Sequence, residues 1–406
     1  MLYNIPVRAQ QYSRNIPLIF LSQVLYSLML YAPTWVIFLQ RNHGLSLLQV
    51  TLVDLAFWLT MAVTEVPTGV VADTFGRKTS VIIGLLLVMI SALLFGLAPN
   101  FALLMLANML WGLAVTFISG ADLALFYDSL RELDRLSDYT RLRGLLSSAV
   151  LTATAAGNIV GGLVASVNLA VPFLVYAGVL VFAVLAMLWI KEPPREVNPD
   201  TGKAAGFLET LGIAWHAIRQ NQLLFSAILY LSVLPLANTA IAITFIQPHL
   251  IAIGLPLAAF GLVSFAISLA RIGGSAAAGT VEKRVGGTRY LRLAPLLVVL
   301  GLSGLAGLPG LWSLLGLALS LFVSVAARPI IERIILEHSP GLARATVLSI
   351  YNLIFRLLVS LLEPSAGLVG DSFGLSYALW FMTGVVAVSM ALLLPGFLRR
   401  LNQEAK

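Results

Sequence analysis

Three carboxylic acids, Asp54, Glu65 and Asp122, stand inside long apolar runs of the sequence, and Glu363 is a fourth in the C-terminal part. A charged side chain at the centre of a bilayer costs at least about 2.5 kcal/mol unless it faces a water-filled cavity or a partner. An acid that faces such a cavity can take up and release a proton. These residues therefore predict proton-coupled chemistry, with Glu65, Asp54 and Asp122 as the candidates.

Asp54 and Glu65 are eleven residues apart. In a helix this spacing returns to within about 20° of the same face and separates the two acids by about 16 Å along the axis. Two carboxylates on one stripe can line a water-filled path, and Glu65 is the first candidate. We expect Asp54 to lie nearer the outer surface and to be solvated, and Asp122, close to the basic Arg131, to snorkel or to cap a helix. A packing carboxylate held by Ser, Thr or Tyr is the alternative.

Two arginines inside apolar runs have an acid at helical spacing. Arg356 lies seven residues before Glu363 on the same helix face, so the two can neutralise each other. Arg328 lies four residues before Glu332, which predicts a local ion pair.

Arg271, a third arginine inside an apolar run, has no obvious local partner. With Arg356 it is predicted to bind an anionic group of a substrate. A pair with Glu65, or a structural ion pair between distant parts of the chain, is the alternative for Arg271.

Metal and nucleotide chemistry have no support in the sequence. There is no Cys, and none of the four His has a second His or a carboxylate at metal spacing. A glycine-rich Walker loop and a nucleophile–base pair are also missing. We therefore expect no cofactor, no metal and no enzymatic activity.

The composition requires that the helices carrying these residues lie in lipid. Of 406 residues, 59% are hydrophobic and 11% are charged, against about 25% charged in an average soluble domain. The mean hydropathy is +0.95. A soluble enzyme, a nucleic-acid-binding protein and a disordered protein are excluded, because none of them can hide so much apolar surface. The net charge of +7 is attributed to basic residues that orient the spans in the membrane, and not to nucleic-acid binding.

Apolar runs between charge clusters predict an all-α membrane protein with twelve transmembrane helices in two six-helix halves. The predicted domains are an N-terminal half over 1–190, a polar linker over 191–220 and a C-terminal half over 221–406. The first run is read as a retained helix and not as a signal peptide. The predicted spans are 17–40, 47–72, 79–98, 101–130, 144–166, 169–190, 222–250, 257–281, 290–308, 311–335, 345–369 and 374–398.

The positive charges predict the orientation of these spans. With the N-terminus in the cytoplasm, 21 of the 25 Lys and Arg fall in cytoplasmic segments or at the cytoplasmic ends of spans, and only Arg41 falls in an outer loop. This bias follows the positive-inside rule. It predicts a multi-pass protein of the plasma (inner) membrane with both termini in the cytoplasm.

The turn between spans 2 and 3 carries a specific pattern, in which Gly69, Asp73, Gly76, Arg77 and Lys78 are spaced as G-x-x-x-D-x-x-G-R-K. The pattern resembles the signature of the major facilitator superfamily at every fixed position. A weaker copy follows 210 residues later, from Gly279 to Gly286, with Lys283 in place of the acid. The resemblance covers the whole chain and implies two parallel repeats and a secondary transporter whose halves rock around a substrate site near the bilayer midplane.

Other segments resemble the drug/proton antiporter-like branch of that superfamily. The resemblance implies that basic residues of the span 2–3 turn bind Asp128, forming a gating cluster of Asp73, Arg77 and Asp128. Asn108 stands where such antiporters usually carry an Arg. The glycines of the span 5 motif are kept without its proline, and they predict close helix packing. The segments of resemblance are 65–69, 119–130 and 344–349, and the span 5 glycines are Gly157, Gly161 and Gly162.

The predicted function is proton-coupled export of a small amphipathic organic compound by alternating access. Proton-coupled uptake or exchange of an organic anion, through Arg271 and Arg356, is the alternative within transport. A membrane receptor or a membrane-embedded enzyme is a remote alternative. The expected partners are a small-molecule substrate, protons and the lipid bilayer, with no nucleic acid, and the protein is expected to act as a monomer.

Overall fold

The computed structural model describes residues 11–194, 207–340 and 344–404. These residues form helices, turns and short 3-10 segments, with no β-strand among them. The helices are α1 Asn15–Ser27, α2 Trp35–His43, α3 Leu47–Phe75, α4 Arg77–Leu97, α5 Phe101–Ile118, α6 Ala121–Glu132, α7 Tyr139–Ala165, α8 Val171–Leu188, α9 Phe207–Gln220, α10 Gln222–Val233, α11 Leu236–Ala240, α12 Ile246–Ala252, α13 Phe260–Val285, α14 Gly287–Gly307, α15 Trp312–Glu337, α16 Arg344–Phe373 and α17 Leu375–Glu404.

Among the described residues, eleven helical segments are long and apolar enough to cross a membrane. Predicted span 1 is divided, because α1 ends at Ser27 and α2 begins only at Trp35. Pro33 lies in the turn between them, and a proline cannot continue a helix from the preceding turn. The expectation of one continuous helix over 17–40 was therefore wrong.

Two further predicted spans are interrupted. Span 4 breaks between α5 and α6, where Gly120 has a φ of +82° that favours glycine. Span 7 consists of α10, α11, a π-helical turn at Ile241–Phe245 and α12. Such π-turns are often found at functional sites. Neither break can be predicted from the pattern of apolar residues, because the residues at both breaks are themselves apolar or small.

The predicted linker over 191–220 is not polar coil throughout, since α9 occupies its last fourteen residues. Ala214 and Ile218, four residues apart, are 0% and 3% exposed. This apolar stripe packs α9 against α16 and α10. Residues 195–206 of the linker lie outside the described residues.

Contacts divide the chain into two compact units. The first unit comprises Met1–Leu45, Leu52–Asn198 and Leu255–Phe265. Within it, a methyl group at Gly157 or at Gly161 would overlap the carbonyl oxygen of Leu28 or of Leu30. These glycines let α7 approach the turn between α1 and α2, so the predicted close packing is confirmed. Asn108, which replaces an arginine of the antiporter pattern, donates from Nδ2 to the Val53 oxygen at 2.8 Å.

The second unit comprises Ser46–Thr51, Pro199–Gly254 and Ala266–Lys406. It therefore includes the first turn of α3. The Asp371 carboxylate accepts the backbone N–H groups of Leu47 and Leu48 at 2.8 and 2.9 Å, and so caps that helix. Gly274 of α13 packs directly on the backbone of Phe322 in α15. This glycine contact is of the kind that joins helices in lipid.

Candidate functional site

The turn between α3 and α4 is built on Gly76, whose φ of +117° an L-residue rarely adopts. The Arg77 guanidinium forms an ion pair with Asp128 of α6, and its Nη1 donates to the Ala124 oxygen at 3.3 Å. Arg131 lies 3.6 Å from the other oxygen of Asp128. The Asp128 side chain is only 8% exposed, so two arginines share one nearly buried carboxylate.

The resemblance implied this contact between Arg77 and Asp128, and the structure contains it. The side chain of Asp73, the third member of the expected cluster, lies outside the described residues. Gly69 lies on the exposed surface of α3, with open space where a Cβ would stand. The gating role of these residues stays a prediction.

Glu192, which the sequence did not single out, completes this turn. Its two carboxylate oxygens accept the backbone N–H groups of Arg77 and Lys78 at 2.7 and 3.0 Å. A carboxylate at the N-terminus of α4 satisfies free N–H groups and complements the helix dipole. Lys78 Nζ in turn donates to the Leu188 oxygen at 2.8 Å, at the C-terminal end of α8. The turn is thus fixed to α6 on one side and to the chain after α8 on the other.

Asp122 lies in the first turn of α6, directly after the break at Gly120. One carboxylate oxygen accepts Nε2 of Gln23 at 2.7 Å, and the other accepts the backbone N–H of Leu123 at 2.6 Å. Both Asp122 and Gln23 line a cavity of about 170 Å³ inside the first unit, with Tyr26 and mainly apolar side chains. The sequence predicted a capping or snorkelling role for Asp122. The N-cap residue of α6 is Gly120 and not Asp122, but the Asp122 carboxylate does accept one N–H of the first turn, and it lies at the wall of a cavity.

Asp54 and Glu65 lie on α3 in different surroundings. Asp54 is 5% exposed and accepts the indole N–H of Trp58 at 2.9 Å. The expectation that it is solvated was wrong, because the Trp58 ring, one turn further along α3, covers it. Glu65 is half-buried, and Thr68 Oγ1 bonds to backbone oxygens of this same turn of α3. The two acids share a helix without sharing an environment.

The arginines inside spans also differ. Arg328 forms the predicted ion pair with Glu332 at 2.6 Å, with 57% of the Arg328 side chain exposed. Arg271 lies exposed on α13 and makes no hydrogen bond or ion pair with the residues that the structure describes. Arg356 is half-buried on α16, and Glu363 of the same helix is 0% exposed. Of this group, Arg271 is the one whose charge is available to a ligand.

A polar network in the second unit was also not predicted from the sequence. Asn238 of α11 donates from Nδ2 to Ser324 Oγ at 3.1 Å and accepts Ser320 Oγ at 2.8 Å. All three side chains are at most 5% exposed. The network joins α11 to α15 immediately before the π-helical turn. Only the fold could reveal it, because the partners are more than 80 residues apart.

The profile of the Major Facilitator Superfamily matches residues 19–362 of the chain. The chain belongs to the Major Facilitator Superfamily. The predicted family is therefore confirmed, and the protein is a multi-pass membrane transporter rather than an enzyme.

Two named relatives of this superfamily member are drug-resistance proteins. Multidrug resistance protein 1 of Bacillus subtilis (strain 168) is 30% identical over 151 residues, which are 37% of this chain and 37% of that protein. The quinolone resistance protein NorA of Staphylococcus aureus is 26% identical over 160 residues, which are 39% of this chain and 40% of that protein. Each match spans about two fifths of the relative's length.

Solved structures resemble this transporter over almost its whole length. The nucleoside transporter NupG superposes with a TM-score of 0.75 at 14% identity, over 95% of this chain and 99% of that one. A bacterial homologue of the human lysosomal transporter Spinster gives 0.73 at 16% identity, over 97% of each chain. These identities establish the fold alone, and the twelve-helix fold predicted from the sequence is confirmed.

Proposed function

We propose that this transporter exports small amphipathic organic compounds in exchange for protons, and that Asp122 carries the proton. The observation that carries the proposal is the carboxylate of Asp122 at the wall of the mainly apolar cavity in the first unit. The drug-resistance names of the partial relatives support an amphipathic substrate.

The cavity gives Asp122 the surroundings that a proton carrier needs. Its lining combines apolar side chains, which suit the apolar part of a substrate, with the polar groups of Gln23, Tyr26 and Asp122. A cavity of about 170 Å³ has room for several water molecules, which can bring protons to the carboxylate.

Gln23 can satisfy Asp122 in both protonation states. Its side-chain N–H donates to the ionised carboxylate at 2.7 Å. When the acid is protonated, it becomes a donor, and rotation of the Gln23 amide presents an oxygen to accept its proton. The break at Gly120 leaves the Leu123 N–H available to the ionised form. Loading and release therefore leave no buried polar group without a partner.

The decisive variant is Asp122→Asn, because asparagine keeps the shape and hydrogen bonds of a protonated acid but releases no proton. We expect the pH gradient to add nothing to substrate flux in liposomes. Counterflow without a gradient should continue. Asp54→Asn is the matched control, since Asp54 is bonded to Trp58 and is not among the residues that line this cavity.

Wild-type gradient dependence in Asp122→Asn would remove Asp122 from the mechanism. Glu65, the first candidate from sequence, is tested in the same assay as Glu65→Gln. If Glu65→Gln alone loses gradient dependence and keeps counterflow, Glu65 and not Asp122 is the residue that carries the proton. Loss of counterflow as well would mark the acid as structural or substrate-binding.

A second candidate function rests on Arg271. This arginine makes no ion pair with the described residues, so its charge remains available to an organic anion taken up or exchanged by the protein. We expect Arg271→Gln to abolish transport of such an anion if this function holds. Arg328→Gln is the control, because Arg328 is already paired with Glu332. Equal anion flux in both variants and in the wild type would exclude the function.

The same proposal places the protein in the plasma membrane as a monomer with both termini in the cytoplasm. The distribution of the 25 Lys and Arg supports this orientation. Because the chain has no Cys, single cysteines at Arg41 and at Lys78 can be labelled without background. A membrane-impermeant thiol reagent should label the first in intact cells and the second only after lysis. The reverse pattern would overturn the orientation.

A further inference from the structure

A polar cleft lies at one end of the second unit, where α9 meets the ends of α10 and α17. Its volume is about 570 Å³, and Gln220, Gln222, His338, Arg400 and Gln403 contribute to its walls. None of the described residues that line it is acidic. The cleft therefore presents amide groups, an imidazole and a guanidinium, which together suit an anion.

Arg400 is the principal charge of the cleft. Its Nη1 donates to the Gln222 oxygen at 3.4 Å, which occupies one of the five guanidinium N–H groups. No described residue forms an ion pair with Arg400. His338, the residue after α15, is held to the last turn of that helix by a 2.7 Å contact between Nδ1 and the Ile334 oxygen. Charge-assisted bonds from a guanidinium are the usual means by which proteins hold phosphate.

The cleft adjoins the start of a segment that is long and apolar enough to cross a membrane. α9 ends at Gln220, and the membrane-crossing segment Gln222–Ala252 begins two residues later. On the exposed face of α9, the Trp215 side chain is 49% exposed, and Arg219 lies 4.9 Å from its ring centroid. Exposed tryptophan and arginine are typical of the layer of lipid headgroups. Phe225, three residues after Gln222 of the cleft wall, is 46% exposed and offers an apolar surface one turn into the span.

We propose that this cleft binds the phosphate headgroup of an anionic phospholipid, whose acyl chain lies along the apolar surface at Phe225. Charge complementarity selects an anion. The position at the membrane boundary, beside an exposed aromatic surface, selects a lipid over a soluble phosphate, because only a lipid uses both features. The bound lipid joins α9, α10 and α17, and so fixes the end of the linker to the second unit.

The test uses the full-length protein purified in detergent, titrated with phosphatidylglycerol and, in parallel, with zwitterionic phosphatidylcholine. Thermal stability reports binding, because a ligand of the folded state raises the midpoint. We expect phosphatidylglycerol to raise the midpoint of the wild type more than phosphatidylcholine does. Arg400→Gln should weaken the apparent affinity for phosphatidylglycerol about tenfold, as expected for one charge-assisted contact. Arg399→Gln removes a neighbouring exposed charge outside the cleft and should leave the affinity unchanged.

Two outcomes would overturn the proposal. Equal weakening by Arg399→Gln and Arg400→Gln would mean that only general surface charge attracts the lipid. A full shift with glycerol 3-phosphate alone, and none added by phosphatidylglycerol, would assign the cleft to a soluble anion. If Arg400→Gln does not yield folded protein, Gln403→Ala serves instead, with an expected weakening of about threefold for one lost neutral hydrogen bond.

Discussion

The two matching hairpins of the repeat, residues 69–78 in the first unit and 279–288 in the second, both turn at a glycine and differ in their charges. Each turns at a glycine with positive φ, +117° at Gly76 and +85° at Gly286. In the first hairpin a basic residue, Arg77, pairs with an acid on α6. In the second an acid, Glu282, pairs with a basic residue, Arg333, on α15. The polarity of the ion pair is therefore reversed between the repeats.

The two ion pairs also differ in burial. In the first, the side chains of Arg77 and Asp128 are 29% and 8% exposed, whereas those of Arg333 and Glu282 are 55% and 29% exposed. A glycine stands at the turn of both hairpins for a local steric reason, since the backbone there needs a residue without Cβ. The ion pair requires only opposite charges on two facing helices, so its sign and its burial are free to diverge.

The largest effect is expected from Asp128→Ala. The change leaves the guanidinium groups of Arg77 and Arg131 next to each other without their shared acid. Removing one partner of a buried ion pair typically costs about 3 kcal/mol. The free energy of unfolding in detergent micelles, followed by tryptophan fluorescence, measures the loss. A value within experimental error of the wild type would mean that this pair contributes nothing to the folded state.

A smaller effect is expected from Glu192→Gln. The amide still offers one oxygen to the N–H groups of Arg77 and Lys78, but the negative charge at the N-terminus of α4 is lost. We expect about 1 kcal/mol of destabilisation in the same unfolding assay. Glu132→Gln is the control, because the same charge is removed in the same unit from the last residue of α6. An equal loss of unfolding free energy in the two variants would show that the Glu192 cap at α4 contributes no more to stability than any other acid of this unit.

The smallest effect is expected from Arg333→Ala in the second hairpin. Exposed ion pairs contribute roughly 0–1 kcal/mol, because water solvates both charges in the unpaired state. The unfolding free energy should therefore fall by far less than in Asp128→Ala. The loss in Arg333→Ala should also shrink more on adding salt than the loss in Asp128→Ala, since salt screens the exposed pair more than the buried one. A loss of unfolding free energy equal to that of Asp128→Ala would contradict the expectation that the more buried ion pair contributes more to stability.

The sequence predicted the features that depend on neighbouring residues. The apolar runs and the distribution of Lys and Arg gave the helices, and the glycine–acid–glycine–basic pattern gave the family and the turn at Gly76. The pair of Arg328 with Glu332 was also accessible, because four residues are one helical turn. The proton-coupling and substrate-binding assignments stay predictions, since they depend on transport and not on spacing.

The contacts that carry the proposals were decided by tertiary structure alone. Gln23 and Asp122 are 99 residues apart, and Glu192 lies 115 residues from the turn that it caps. Which groups meet depends on how each helix is rotated about its own axis and on where it breaks. An apolar run faces lipid on one side and protein on the other, so its sequence determines neither the rotation nor the break. Asn108 shows the consequence, because only packing placed its amide against the Val53 oxygen, 55 residues away in the sequence. Hydrophobicity, charge and turn geometry are local and can be read along the chain, while the partners of a buried polar group are set by the packing of distant helices.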